Sequence, residues 1–113
     1  MTTSAALVVI LIGVGACAGE RDVGRQLLLS EPASAPPDIP AACEITARRC
    51  SRCHPLDRLL QARVTSPGHW HAYVRRMRLT PGSGIRLAEQ HVITRCLVFR
   101  SFGATGLAEL EAR

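Results

Sequence analysis

Apolar positions in this 113-residue chain fall into separate blocks, each with its own spacing. Residues 5–16 (AALVVILIGVGA) form an uninterrupted apolar run without a period. Over residues 41–53, Cys43, Ala47 and Cys50 recur at i, i+4 and i+7, the repeat of one helix face, and the stretch opens after Pro40. Leu56, Leu59, Leu60 and Val64 suit a short helix or a loop. Ser66 and Pro67 give a clearer start signal, a capping hydroxyl followed by proline at the first helical position. Trp70, Val74 and Met77 then share one face, while His71, Arg75 and Arg78 share another. Residues 80–84 (TPGSG) read as a turn. Beyond it, Ile85, Ala88, Val92, Cys96 and Phe99 mark one apolar face over about four turns, the strongest amphipathic signal in the chain. Gly103 and Gly106 are expected to end that helix and leave residues 103–113 as a short flexible tail.

Composition narrows what these blocks can build. The chain suffices for one small domain, expected over residues 41–102, but aromatics are only 4% of it, thin material for a core. A bound macrocycle would supply the missing apolar mass. Residues 17–40 read as a tether, rich in proline and serine and without a helical period. Leu27, Leu28 and Leu29 interrupt it and read as a short unstructured apolar patch. The net charge is +5 and every basic residue is Arg, a bias that genomic base composition explains. Within residues 41–102, eleven Arg stand against Glu44, Asp57 and Glu89, a surplus of eight positive charges. That face suits an acidic partner.

The chemistry concentrates at Cys50, Ser51, Arg52, Cys53 and His54. Two thiols three residues apart, with an imidazole directly after the second, are the signature of covalent c-type haem attachment. On a helix, positions i and i+3 lie on one face about 5 to 6 Å apart, so Cys50 and Cys53 can each form a thioether to a neighbouring vinyl group. His54 is then held beneath the ring. A neutral imidazole gives one nitrogen to the iron while a carbonyl or carboxylate fixes the other. Pro55 predicts that the attachment helix stops near His54.

Other readings of the same residues stay open here. A CxxC pair can be a thiol-disulfide redox site, although that expectation belongs to alternating strands and helices, which this chain lacks. It can also be half of a zinc site completed by His69 and His71. Ordinary paired or free cysteines are the third option.

For the second axial position of a haem iron the sequence favours Met77, twenty-three residues after His54. A thioether is a soft ligand that raises the haem potential, and that much chain reaches the opposite face of a ring. The competing role for Met77 is plain core beside Trp70. His69, His71 and His91 are the competing ligands, of which His71, among arginines, reads as solvated.

Residues 5–16 are too short to span a bilayer and suit the apolar region of a secretory signal over residues 1–16. Val14, Gly15, Ala16 and Cys17 resemble a bacterial lipobox, in which cleavage leaves a lipid-modified cysteine. Gly15 is a less usual occupant, and residues 1–6 contain no Lys or Arg. Export to the periplasm or cell envelope is expected, with Cys17 as a membrane anchor.

Taken together, CSRCH, Trp70, Val74, Arg76, Met77, the P-G-S-G-I turn and the helix that follows resemble a small class I c-type cytochrome domain over about residues 41–100. The resemblance implies an all-α fold of three to four helices around one covalent haem c. It further implies His54 and Met77 as axial ligands, Trp70 and Val74 packed near the haem, and one-electron transfer between larger redox proteins. It implies no catalytic turnover of its own, and export argues against nucleic acid as a partner. Arg86 stands where such domains often cap a helix with Ser or Thr, and Cys96 where an aromatic is common. The resemblance also implies that the first and last helices cross, which would bring Cys43 and Cys96 onto facing surfaces where an oxidising compartment permits a disulfide.

Overall fold

The structure, a computed structural model, describes residues 19–30 and 32–113. The expected signal segment and Cys17 lie outside the described residues. Within them the chain is all-α, with no strand. Five helices follow in order: α1 (Gly19–Leu29), α2 (Ile39–Cys50), α3 (Asp57–Leu60), α4 (Pro67–Leu79) and α5 (Leu87–Glu111).

α2 and α4 both pack on α5, and α1 packs on α2 and α3. The core lies where the three long helices meet: Cys43 and Ala47 of α2, Trp70 and Val74 of α4, and Ile93, Cys96, Leu97 and Val98 of α5 are all buried. One covalent link crosses it. Cys43 and Cys96 are disulfide-bonded with Cα atoms 5.1 Å apart. A polar link crosses it too, where the indole Nε1–H of Trp70 donates to Ser101 Oγ at 2.8 Å.

The helix ends follow local chemistry. Ser66 Oγ accepts the backbone N–H of His69 at 3.2 Å and starts α4, with Pro67 at the first position. Arg86 precedes α5, and its backbone N–H donates to Glu89 Oε2 at 3.0 Å. That is the returning half of a capping box, so the helix is capped without a hydroxyl at its entry. Between them, residues 80–84 turn with positive φ at Gly82 and Gly84, as read from composition.

Four expectations are corrected. The segment read as a tether carries α1, whose Leu28 is fully buried and borders a hollow shared with Leu59, Trp70 and Leu97. The Arg100 guanidinium clamps the end of α1 by donating to the carbonyls of Leu27 and Ser30. α2 stops at Cys50, with Ser51 as its cap, rather than near His54. α5 does not stop at Gly103: that residue takes φ 65° and kinks the helix, which resumes to Glu111 with Leu107 buried. Gly106 permits the close approach of the Phe102 side chain there. The described residues therefore hold five helices rather than three or four.

Candidate functional site

The end of α2 and the turn after α4 face each other across a cleft. Arg49, Cys50, Cys53, His54, Met77, Thr80, Ser83 and Ile85 line it, around about 140 Å³ of space. A second hollow of about 480 Å³, lined by Arg25, Ser51, Arg52, Cys53, His54, Pro55 and Leu56, shares Cys53 and His54 as a common wall. Four residues separated by up to 27 positions thus converge: Cys50, Cys53, His54 and Met77.

Each arrives by a local route. Cys50 is the last residue of α2 and is 5% exposed. Cys53 lies beyond the helix in the turn of residues 51–53 and is exposed, so the two thiols are not partners on one helix face. Both are free thiols, since the disulfide is formed by the other pair. Met77 lies in the last turn of α4, half-buried, where the Thr80 N–H donates to its carbonyl at 3.2 Å. Ser83 shapes the facing wall: its hydroxyl donates to Arg78 O at 3.0 Å and accepts the Ile85 N–H at 3.3 Å.

The imidazole of His54 is oriented. Its Nδ1 lies 3.1 Å from the Pro55 carbonyl. A carbonyl oxygen only accepts, so in the neutral ring this contact favours the tautomer with the proton on Nδ1, which leaves the lone pair on Nε2. A fixed Nδ1–H is what a metal-ligating imidazole ordinarily has. The donor set therefore fits a covalently attached haem: two free thiols, an imidazole with an available Nε2 and a thioether sulfur border one cleft. Its volume is small beside the roughly 300–1,000 Å³ of ordinary ligand sites, so a macrocycle must widen it.

The thiol-disulfide alternative fares less well on chemistry. Burial first, and the nearby Cys53 second, push the Cys50 thiol up to about 12. It stays protonated at neutral pH, whereas reactive cysteines have depressed values. For zinc, no group of three or more His, Cys, Asp or Glu among the described residues comes together to hold an ion. His69 instead packs at a tilt against Tyr73, with centroids 5.7 Å apart, and His71 is exposed.

Some expected site residues lie elsewhere. Trp70 and Val74, expected beside a haem, are 1% and 0% exposed in the core and border neither hollow at the CSRCH segment. Trp70 spends its polar atom on Ser101. Conversely, Arg49, Thr80, Ser83 and Ile85 line the cleft although no motif marks them as site residues in the sequence. Their neighbourhood was legible only in part, through the turn composition and the helix bearing Cys50. Comparison with family models, with curated proteins and with solved structures finds no match.

Proposed function

We propose that this chain is a small class I c-type cytochrome, an exported electron carrier holding one covalent haem c and tethered to a membrane through Cys17. It passes single electrons between larger redox proteins and has no catalytic turnover of its own. The observation that carries this reading is the convergence of Cys50, Cys53, His54 and Met77 on one cleft, with the His54 Nδ1–H held by Pro55.

In this role Cys50 and Cys53 contribute their sulfurs as thioethers. His54 offers Nε2, and the Pro55 carbonyl keeps the ring in the tautomer that makes that nitrogen available. Met77 offers a soft sulfur that favours the reduced metal. When bound, the haem supplies a one-electron couple. Ile85 and Met77 give that side of the cleft its apolar lining.

The test is a visible spectrum, oxidised and reduced, of the full chain made in a host with c-type haem maturation, followed by a haem stain on a denaturing gel. A sharp reduced spectrum, the weak red-region band of sulfur-ligated ferric haem and stain that survives denaturation are expected. A Met77→Ala variant should keep the stain and lose the red-region band. A colourless chain, or one containing zinc, overturns the reading.

A further inference from the structure

The buried polar side chains divide by how far they reach. Among the described residues, Thr46, Ser83, Glu89, Gln90 and Thr94 are the polar or charged side chains that the fold buries. Thr46 and Thr94 donate to the carbonyls of Ala42 and Gln90, one turn back in their own helices. A hydroxyl satisfied in that way asks nothing of other elements. Ser83, Glu89 and Gln90 instead tie separate segments together, and their ties end beside the cleft, at Arg49 and Ile85 on its walls and at the residue next to Met77.

Glu89 and Gln90 are adjacent at the start of α5 and reach opposite walls. Glu89 takes Arg49, the residue before Cys50. Gln90 takes Arg78, the residue after Met77, whose Nε–H donates to Gln90 Oε1 at 2.6 Å. A guanidinium has only donors, so the amide turns its oxygen and not its nitrogen toward it. From Arg78 the bonds continue through the turn that follows. Ser83 Oγ donates to the Arg78 carbonyl at 3.0 Å and accepts the Ile85 N–H at 3.3 Å, and the Ser83 N–H donates to Thr80 O at 3.1 Å. With Gln90 9% and Ser83 8% exposed, an unmade bond here costs more than one on the surface. Met77 has no comparable hold of its own. A methionine has three rotatable bonds and only a weakly accepting sulfur, so its side chain goes where the backbone that carries it is held.

We propose that Gln90 is a positioning residue for Met77: by holding Arg78, with Ser83 closing the turn behind it, Gln90 fixes the end of α4 and so how firmly the Met77 sulfur stays in the cleft. The proposal deepens the cytochrome reading and rests on it. An external ligand reaches an iron in this cleft only while the Met77 sulfur is away. Its apparent affinity is therefore scaled by the fraction of molecules in that state. Releasing Arg78 raises the fraction, and restoring an oxygen at position 90 lowers it again.

The probe is imidazole, titrated into the haem-loaded full chain and followed by loss of the red-region band. Gln90→Leu is expected to bind it about tenfold more tightly than the parent chain, the factor that one hydrogen bond to a charged group supports. Ser83→Ala, a smaller change, should shift it in the same direction. Gln90→Glu, which keeps an oxygen for Arg78, should restore the parent affinity. Thr94→Val removes a buried hydroxyl from the same helix and should leave the affinity unchanged. An equal effect from Thr94→Val, or no rescue by Gln90→Glu, overturns the proposal, since the effect would then be general loosening of α5. Amide exchange supplies a reading that needs no haem. In Gln90→Leu the N–H groups of Thr80, Ser83 and Ile85 should exchange faster while residues 93–98 keep their protection. Unchanged exchange over residues 80–85 overturns the proposal in a loaded or an unloaded chain alike. A parent chain without covalent haem refutes the function proposed above, and the exchange result then decides alone whether Gln90 holds the turn beside Met77.

Discussion

Glu89 is the carboxylate on which two helices converge. It lies in the first turn of α5, where Arg49 of α2 donates to both oxygens at 2.8 to 3.1 Å and the Arg86 guanidinium reaches Oε1 at 2.9 Å. The two guanidinium groups, more than deep core, cover it. Arg49 first, then the side chain and backbone of Arg86, hold its carboxyl down from 4.5 to about 2. Because the folded value is the lower one, the stabilisation is complete above about pH 4.5 and is lost as pH falls toward 2. Glu89→Gln should therefore cost about 2 kcal/mol at neutral pH, discounted for the partial exposure of Arg49, and flatten the acid side of a denaturant-monitored stability curve. An unchanged acid limb would show that the pair is idle. Nothing in the sequence marked this residue beyond its charge, because its partner is 40 positions away. Gly84 is a second such position. With φ at 68° and the Arg52 guanidinium against it, Gly84→Ala should lower thermal stability by about 1 to 2 kcal/mol and loosen the wall that faces Met77.

The helices divide by how much of their reason for forming is local. α4 carries its own start signal and a consistent apolar face, so it was legible as a unit. The front of α5 was legible through its period, but its continuation past Gly103 was not. A glycine at positive φ ordinarily ends a helix, and here the chain resumes because Leu107 finds a buried place and Arg95 ties Glu111 back. α1 is the opposite case: three adjacent leucines have no helical period. What selects the helix is a groove of Leu59, Trp70 and Leu97, assembled from three other elements. Leu28→Ala should therefore cost about 2 kcal/mol locally, seen as faster amide exchange over residues 23–30 with α5 protection unchanged. Global loss of protection would instead make α1 part of the cooperative core. At the site, the composition of CSRCH was legible in sequence, whereas the end of α2 at Cys50 was not, since Ser51 carries no strong stop signal.

For the whole molecule the covalent tie between α2 and α5 matters most. Cys43 and Cys96 lie 53 residues apart in sequence, and closing a loop of that length stabilises by about 4 kcal/mol on the chain-entropy account. Replacing both with Ala should lower stability by that order in denaturant titrations. Alkylation of the unreduced haem-loaded chain should find none of Cys43, Cys50, Cys53 and Cys96 free, and after reduction two. Spacing alone did not reveal the pair; it followed from the expected crossing of the first and last helices. Under the proposed lipid anchoring at Cys17, the seating of α1 changes how far the domain could range. Twenty-three extended residues, 18–40, would let a lipid-held domain sweep a radius of about 75 Å. With α1 docked, one residue stands in the sequence between Cys17 and the start of that helix at Gly19. The volume searched collapses, and the effective concentration of any acceptor outside the thin layer at the bilayer surface falls toward zero. On the proposed reading, with Cys17 lipidated, partners would then reach the chain in the plane of the membrane.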